Sequence, residues 1–597
     1  MLVTLGITLL AIYPQINLWL ARGADWKGSY VLVQGDEIAY SAYINALIDG
    51  RPRRNDPFMG KDDSPGAPLP ESLFSIQFIP AYAIAFPARA LHLSAATAFI
   101  LLIVLSAIMS SLAIFWFFNT ITGDARVAAA GTLVTLCLGT LAAGQGEAVF
   151  LLRGQNVYDS FPFLRRYQPS VAFPLFFVFL SFVWRSLPRG NRRSEIRSAI
   201  WAGLILAVLV FCYFYLWTAA AALLAALGLL WSVARPRDLR QLVQRFAVIA
   251  GIATPAIVSF FFLLFRRSAS MDSTQLLSYS HAPDLLYAPE LIGFAILVTL
   301  GLAAWRGKVD LRDPTVLFTA SLALMPFMVF NQQILTGRSL QPIHYQVFIA
   351  NYVALTGSVL ASLVLMVGRK ESPARIPNRV LVYVALVAFA WGVVELAGST
   401  KRNAAYARIR DDSMPVITRL AEIAEQDGTY SRARASGSYP IVYSTNLMVA
   451  GNLATSAPQG VLWAHHTPAA GVASLDQSKE LYFYYLYYSG VDEKELAQAL
   501  LEGQFNTLTA LFGVERVITT LTPYPKPITV QDMRFEVRRY FEFINSFSRE
   551  RAAHPLLSYV LAPSEAEPNY ANLDRWYQRD SGERVGIYVI YRVSLRP

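Results

Sequence analysis

The stretch Ala98-Phe-Ile-Leu-Leu-Ile-Val-Leu-Ser-Ala-Ile-Met-Ser-Ser-Leu-Ala-Ile-Phe-Trp-Phe-Phe118 contains no charged residue. Its length matches the roughly 20 apolar residues that a helix needs to cross a hydrocarbon core of ~30 Å. Comparable apolar blocks recur at 199–233, 246–265, 346–367 and 380–397. Inside lipid such segments must be helical, because a strand edge would leave backbone groups without hydrogen bonds. The blocks therefore predict a chain that crosses a membrane many times.

The composition of the whole chain points the same way. Of its 597 residues, 54% are hydrophobic and 15% are charged, whereas soluble domains carry about 25% charged residues. The net charge of +10 lies largely in short loops beside the apolar blocks, without a basic stripe that interleaves aromatic residues. We therefore expect membrane lipids and no nucleic acid among the partners. Both cysteines, Cys137 and Cys212, fall in predicted membrane helices, so no disulfide framework is expected.

The basic residues predict the orientation of a polytopic α-helical protein with about eleven membrane helices. We place the helices at about 2–20, 95–119, 126–143, 170–185, 198–215, 216–233, 246–265, 289–304, 315–331, 346–367 and 380–398. Four alternate short loops, near 185–197, 235–245, 306–312 and 369–379, carry sixteen Arg and Lys residues, and the opposite short loops carry six. By the positive-inside rule the first set is cytoplasmic. The N-terminus then lies in the cytoplasm, and the C-terminal region lies outside.

The same rule constrains the first loop, 21–94, which is predicted to be extracytoplasmic. Its apolar part, 73–91, contains Pro80 and Pro87. We predict a kinked interfacial or re-entrant element, because a full crossing would reverse every later loop. The excess of arginine over lysine is typical of GC-rich bacterial genomes, so we expect the bacterial cytoplasmic membrane.

The composition becomes soluble after Lys401 and predicts an extracytoplasmic domain. We assign 1–398 to the membrane domain and 399–597 to an α/β domain. Its helical patterns lie at about 413–426, 476–487, 492–502 and 529–548, and its strand-like runs at 441–444, 461–464, 516–520, 558–562 and 586–593. The tyrosine-rich run 482–488 is predicted to pack in the core.

The first outer loop carries the most informative sequence, Asp36-Glu-Ile-Ala-Tyr40. Apolar residues follow it with helical spacing up to Ile48, and Gly50 and Pro52 end that helix. Asp36 and Glu37 therefore lie at the N-terminus of an amphipathic helix just outside the first membrane helix.

A first membrane helix, an acidic pair on an amphipathic helix and a Gly50-Arg-Pro break together resemble the GT-C membrane glycosyltransferases. The likeness is to the oligosaccharyltransferase, protein-mannosyltransferase and aminoarabinose-transferase branches, and it covers about 60 residues. The resemblance implies inverting transfer of a sugar from a polyprenyl-phosphate-linked donor to an extracytoplasmic glycan, lipid or protein. It implies that Asp36, with Glu37 as second candidate, is the base for the acceptor or a metal ligand. The alternative is that Asp36 caps the helix and Glu37 favours its dipole.

Other outer loops supply candidates for binding the donor. Arginine suits phosphate because its planar fork of donors matches the oxygens. The candidate phosphate-binding residues are Arg153, Arg165, Arg166 and Arg338. Candidates for the substrate cavity are Gln332, Gln341, His344 and Asp159. Alternatively, the arginines anchor the chain to lipid headgroups, and the polar loop residues cap helix ends.

Two questions stay open at the level of sequence. The related oligosaccharyltransferases carry an Asp-x-Asp motif in a later outer loop, which 144–169 lacks, so the metal ligands are unknown and a Mg²⁺ or Mn²⁺ cofactor is undecided. A transporter or flippase and a non-catalytic assembly factor for envelope polysaccharide are the alternative functions. The scarcity of charges within the helices and the lack of an internal repeat disfavour a transporter.

Overall fold

The computed structural model describes residues 1–268, 270–274, 277–367, 376–469, 473–521, 526–565 and 568–597. The chain divides into two compact units. The first unit comprises Met1–Asn17, Ile100–Leu263 and Tyr279–Ala404. The second comprises Leu18–Phe99, Leu264–Ser278 and Ala405–Pro597, so residues of the predicted first outer loop belong to the same unit as most of the predicted C-terminal domain. The predicted boundary at residue 398 stays a prediction.

The first unit is almost entirely helical. Its α-helices are Ala125–Cys137, Gly139–Ala142, Glu147–Arg153, Ala172–Ser186, Arg192–Val210, Phe214–Ala234, Leu239–Leu264, Ala288–Trp305, Pro314–Phe330, Gln333–Thr336, Pro342–Tyr345 and Asn351–Val367, with a π-helical turn at Gln346–Ala350, 3-10 turns at Pro162–Leu164 and Pro236–Asp238, and a short strand at Arg338–Leu340. Three more helices, Leu2–Arg22, Ala95–Thr122 and Asn378–Gln426, have residues in both units, and the last residue of Leu239–Leu264 also belongs to the second unit.

Eight helical segments of the described chain are long and apolar enough to cross a membrane. They are Leu2–Asp25, Ala95–Thr122, Phe214–Ala234, Pro236–Leu264, Ala288–Trp305, Pro314–Thr336, Pro342–Met366 and Asn378–Gln426. Two shorter apolar helices, Ala125–Cys137 and Ala172–Ser186, also match predicted spans. The prediction of a polytopic helical membrane protein is confirmed, and the number of eleven spans stays a prediction. Most of the predicted basic loop 369–379 lies outside the described residues.

Close backbone approach holds the helices of the first unit together. A Cβ atom at Gly139 would lie 2.2 Å from Tyr352, so only glycine fits there. Asn351 Nδ2 donates a hydrogen bond of 2.8 Å to the Gly139 carbonyl at the same crossing. A Cβ atom at Gly293 would lie 2.3 Å from the Ala323 carbonyl oxygen. Small residues at helix crossings are what membrane bundles use in place of a hydrophobic driving force.

The N-terminal part of the second unit is built around the helix Glu37–Ile48, as the sequence predicts. Short strands Asn55–Asp56 and Lys61–Asp62 pair antiparallel, and the helices Leu73–Ile76 and Phe78–Ala90 follow. The helix Phe78–Ala90 has 13 residues and is therefore about 20 Å long. That length is too short for a full crossing of ~30 Å, which favours the predicted re-entrant or interfacial element.

The C-terminal part of the second unit contains a mixed six-stranded sheet with helices, which confirms the predicted sheet domain. The strand order is Gly460–Val461, Ile441–Ser444, Leu557–Pro563, Tyr588–Leu595 and Tyr577–Arg579, with Glu583–Val585 also paired to Tyr588–Leu595. The first three strands run parallel; Leu557–Pro563 and Tyr588–Leu595 pair antiparallel, with Leu561 opposite Ile590. The helices are Thr429–Ser436, Leu447–Leu453, Leu475–Tyr488, Glu493–Leu501, Phe505–Phe512, Val514–Val517, Val530–Asn545, Arg549–Ala552 and Ala571–Asp574.

Aromatic packing fills the core of this sheet domain. Tyr482, Phe483 and Tyr488 of the helix Leu475–Tyr488 are buried, and Tyr487 stacks on Phe547 with ring centroids 4.0 Å apart. Such rings bury large areas and gain further from their mutual geometry. The prediction that the tyrosine-rich run packs in a core is confirmed.

Two predictions about secondary structure are wrong. The run 516–520, predicted as a strand, begins within the helix Val514–Val517 and ends in the 3-10 turn Thr519–Leu521. The predicted helices 380–398 and 413–426 form one helix of 49 residues, Asn378–Gln426. Residues 399–412 are rich in Ala and Arg and contain no Gly or Pro, so helix propensity carries the chain across the change in composition.

Candidate functional site

The helix Glu37–Ile48 holds the acidic pair in a rigid setting. Every residue from Glu37 to Leu47 is buried. Tyr43 is fully buried and stacks on Phe74 with centroids 5.2 Å apart. The helix therefore packs on all sides, and the prediction that it is amphipathic is wrong.

The structure gives the two acidic residues different surroundings. Glu37 is fully buried, and its Oε2 accepts a hydrogen bond of 3.0 Å from the Val33 backbone N–H. Tyr30 donates its hydroxyl proton to the Glu37 carbonyl at 3.2 Å. Asp36 is partly exposed and makes no side-chain capping hydrogen bond. The interpretation of Asp36 as a helix cap therefore lacks the hydrogen bond that defines a cap.

His466 interacts with the carboxylate of Asp36, although the two residues are more than four hundred positions apart. Burial lowers the pKa of His466 to about 4; the charge of Asp36 and a hydrogen bond to the Gly35 backbone oppose this shift, and His465 adds to it. The imidazole ring stacks on Phe58, with centroids 5.9 Å apart. The Val461 backbone N–H donates a hydrogen bond of 2.7 Å to the Phe58 carbonyl. This contact joins the outer-loop segment to the strand that precedes His466.

The lowered pKa of His466 predicts a pH-dependent contribution to stability. Between pH 6.5, the ordinary histidine pKa, and about 4 the unfolded state binds more protons, so the free energy of unfolding falls as pH falls. Above pH 6.5 the contribution is fully present. We expect the difference in melting temperature between wild type and His466→Gln to shrink as pH is lowered from 7.5 to 4.5. Burial raises the pKa of Asp49 and of Asp56 to about 6, so these two groups stabilise the folded state as pH falls. Wild type and His466→Gln both contain them, so their effect cancels in the difference between the two melting temperatures. Melting curves that stay parallel at every pH would contradict the assignment.

Arg165 and Arg166 are fully buried, unlike the other predicted phosphate ligands. Arg165 donates from Nε to the Gln168 carbonyl at 2.8 Å and from Nη2 to the Tyr213 hydroxyl at 3.2 Å. Its guanidinium carbon lies 4.1 Å from the centre of the Phe348 ring. A buried guanidinium that lies over an aromatic ring and donates two hydrogen bonds is held in one orientation.

His344 belongs to the same cluster of side chains. Its ring centroid lies 4.9 Å from that of Tyr215 and 5.3 Å from that of Phe348. Its Nδ1 is buried and has no hydrogen-bond partner among the described residues. The structure therefore brings His344 together with Arg165, two of the residues that the sequence predicts.

The remaining loop candidates lie elsewhere in the first unit. Arg153 ends the helix Glu147–Arg153, and both Arg153 and Arg338 are exposed. Gln332 donates to the Arg338 carbonyl at 2.7 Å and accepts from the Thr336 hydroxyl at 2.8 Å, so its amide closes a turn. Gln341 has a φ of 22°, and its carbonyl accepts from the His344 backbone N–H at 2.9 Å. These contacts resemble the capping alternative more than a cavity lining.

Asp159 forms an ion pair that the sequence does not reveal. Its Oδ1 accepts from Arg402 Nη2 at 2.8 Å, and its Oδ2 accepts from Asn403 Nδ2 at 3.0 Å. Arg402 also pairs with Glu147. The Glu147 backbone N–H donates to Glu395 Oε2 at 2.9 Å. Both oxygens of Asp159 are thus engaged by protein groups.

The described residues form no closed cage of protein ligands for a metal ion. Within the described ranges no group of three or more His, Cys, Asp and Glu side chains is placed to hold one. Asp36 and His466 are two groups of ligand type, fewer than the three protein ligands of a catalytic zinc site, whereas Mg²⁺ binds through one or two carboxylates together with substrate phosphates.

The solved structures to which this chain is similar include an oligosaccharyltransferase, ArnT and an arabinofuranosyltransferase. No family profile and no curated protein matches the sequence. The oligosaccharyltransferase AglB of Archaeoglobus fulgidus, solved with an inhibitory peptide and a dolichol-phosphate, is 12% identical, with 94% of this chain and 69% of that chain covered and a TM-score of 0.46. ArnT of Cupriavidus metallidurans, bound to undecaprenyl phosphate, is 13% identical, with 98% and 97% covered and a TM-score of 0.38. The arabinofuranosyltransferase AftD from Mycobacteria is 12% identical, with 94% and 42% covered and a TM-score of 0.41.

These solved structures are of the kind that the sequence resemblance names. At TM-scores below 0.5 these likenesses assign no residue and no substrate to this chain.

Proposed function

We propose that this chain is an inverting membrane glycosyltransferase that transfers a sugar from a polyprenyl-phosphate-linked donor to an extracytoplasmic acceptor. The observation that carries the proposal is the setting of Asp36. Its carboxylate stands at the N-terminus of a buried helix, makes no capping bond there and interacts with His466. Glu37 is fully buried, whereas Asp36 is partly exposed, so Asp36 is the better candidate for the base.

The reaction assigned to Asp36 is a single displacement. The carboxylate accepts the proton of an acceptor hydroxyl while that oxygen forms a bond to the anomeric carbon of the donor sugar. The bond from the anomeric carbon to the phosphate oxygen breaks, and its electron pair leaves with the polyprenyl phosphate. Attack opposite the leaving group inverts the anomeric configuration. The role of His466 is to position the Asp36 carboxylate.

Departure of the phosphate requires cations or donors that stabilise developing negative charge. Of the predicted phosphate ligands, Arg165 and Arg166 are buried and Arg153 and Arg338 are exposed. We therefore rank Arg165 and Arg166 first for this role, with His344 beside Arg165. No step of the proposal passes through a divalent cation.

The proposed location is the bacterial cytoplasmic membrane, with the N-terminus in the cytoplasm and Asp36 outside. The basis is the distribution of Arg and Lys among the short loops. A donor that reaches an outward-facing carboxylate must present its sugar on the outer side of the membrane.

The proposal predicts sugar transfer by the purified chain. Wild-type protein in lipid nanodiscs would be incubated with radiolabelled polyprenyl-phosphate sugars, one sugar at a time, and with acceptors extracted from bacterial membranes. We expect label from at least one donor to move to an acceptor, with release of polyprenyl phosphate in equal amount. Heat-unfolded protein is the matched control. Absence of transfer from every donor, with the protein folded, would contradict the proposal.

A further inference from the structure

A second site lies at the opposite end of the helix that carries the acidic pair. A cavity of about 290 Å³ opens beside Asp49, the residue that ends the helix Glu37–Ile48. Twelve helical residues rise about 18 Å, so this cavity is separate from Asp36. Its polar lining includes Asp49, Arg51, Asp62, Asp63, Tyr430 and Arg434, with Tyr439 beside them.

One wall of the cavity is preorganised by a buried ion pair. Arg51 donates from Nε to Asp62 Oδ1 at 2.7 Å, and both side chains are buried. The Arg51 guanidinium carbon lies 4.3 Å from the centre of the Tyr439 ring. The Asp62 backbone N–H donates to the Gly437 carbonyl at 2.9 Å, which ties the loop to the C-terminal part of the same unit. These contacts hold the wall in place without a ligand.

The other wall presents groups whose hydrogen-bonding capacity is not used up. The Tyr430 hydroxyl lies 3.3 Å from Asp49 Oδ2, longer than a strong O–H···O bond of 2.5–3.0 Å. Burial raises the pKa of Asp49 to about 6, against the influence of Arg51 and of the Tyr430 hydroxyl. Arg434 is exposed at the rim and makes no hydrogen bond or ion pair with any described residue. A ligand here meets donors and acceptors together.

The charges around the cavity nearly cancel. Asp49, Asp62 and Asp63 face Arg51 and Arg434 in the lining, and the charge of Arg89 also acts on Asp49. A phosphate or a strongly cationic ligand therefore gains little from the site as a whole. A ligand with many hydroxyl groups and no charge can donate to the carboxylates, accept from the arginines and lie against tyrosine rings.

We propose that this cavity binds a neutral sugar unit of a glycan. Its volume of about 290 Å³ is at the lower end of the range for small-molecule sites, which suits part of a longer chain that leaves past the exposed Gly50 and Arg434. The binding of a sugar rests on the lining of the cavity alone. The further step, that the bound glycan is the acceptor, rests on the proposed function.

The test measures binding rather than transfer. The full chain in nanodiscs would be titrated with neutral trisaccharides of mannose, glucose, galactose, arabinose, rhamnose and N-acetylglucosamine, with saturation-transfer NMR and calorimetry as readouts. We expect at least one to bind, and Asp49→Asn and Tyr430→Phe each to weaken binding about tenfold, as for loss of a hydrogen bond to a charged group. Glu425→Gln, at an exposed position whose charge also acts on Asp49 but outside the lining, is the matched control and should bind normally.

The outcomes separate this proposal from the proposed function. Asp36→Asn should bind the trisaccharide as wild type does, even where sugar transfer is lost. Failure of all six trisaccharides, stronger binding of a glucuronic acid or glucosamine trisaccharide, or full binding by the folded double variant of Asp49→Asn and Tyr430→Phe would each overturn it. Trisaccharide binding that depends on Asp49, without transfer from any donor, would support the cavity and contradict the glycosyltransferase.

Discussion

Asp36→Asn is expected to lower the rate of sugar transfer by about a hundredfold or more. A positioned general base contributes roughly 10²–10⁴ to a rate, and an amide cannot accept the proton of the acceptor hydroxyl. The substitution keeps the size of the side chain, and Asp36 forms no capping bond that the helix would lose. The measurement is the initial rate of label transfer in nanodiscs at saturating donor and acceptor, with the melting temperature measured alongside.

Two variants of the same segment make this result specific. Asp25→Asn removes an exposed carboxylate of the same predicted outer loop and should transfer at the wild-type rate. Glu37→Gln changes a fully buried group that accepts from the Val33 N–H, so its effect should appear first as a lower melting temperature. If Asp36→Asn transfers within twofold of wild type, the base lies elsewhere. A folded chain that transfers nothing would favour a transporter or an assembly factor.

The membrane fold could be predicted because each span carries its own signal. A charge-free run such as 98–118 leaves the helix as its only stable form in lipid. The structure has a helix at every predicted span. Local patterns did not predict that two of the predicted helices are one continuous helix. The helix Asn378–Gln426 passes through a change from apolar to polar composition, and that change resembles a domain boundary in the sequence.

Only part of the candidate site could be predicted from the sequence. The position of Asp36 at a helix N-terminus follows from residues within about four turns of it. The effect of the Asp36 charge on His466 depends on the pairing of distant segments, seen in the bond between Val461 and Phe58. In the sequence, His466 is notable only as the neighbour of His465. No periodicity or motif links it to the first outer loop.

The arginines of one predicted outer loop also show that the sequence does not reveal tertiary surroundings. Arg153 and Arg165 occur in one predicted loop with similar neighbours, yet Arg153 is exposed and Arg165 is fully buried against Phe348. Charge and loop position predict affinity for phosphate equally well for both. Burial distinguishes them, and burial depends on how the loop folds back on the helices.

Arg402→Met is expected to lower the free energy of unfolding by about 3 kcal/mol. Removing one partner of a buried ion pair costs about 3–5 kcal/mol, because a charge is left without compensation. The lower end applies since the Arg402 side chain is 22% exposed. Here one arginine faces Glu147 and Asp159 together, so its loss leaves two carboxylates close to each other. Chemical unfolding in mixed micelles measures the change.

A double variant of Arg402 and Asp159 tests whether Asp159 has a structural role or belongs to a substrate cavity. With a structural role, adding Asp159→Asn to Arg402→Met should restore about 1 kcal/mol, because coupled neighbours show interaction energies of roughly 0.5–3 kcal/mol. Arg408→Met removes an exposed arginine of the same helix and should stay within about 0.5 kcal/mol of wild type. A different result would support a role for Asp159 in the substrate cavity that the sequence predicts. In that case the effects of Asp159→Asn and Arg402→Met on stability would be additive, and Asp159→Asn alone would lose sugar transfer at full stability.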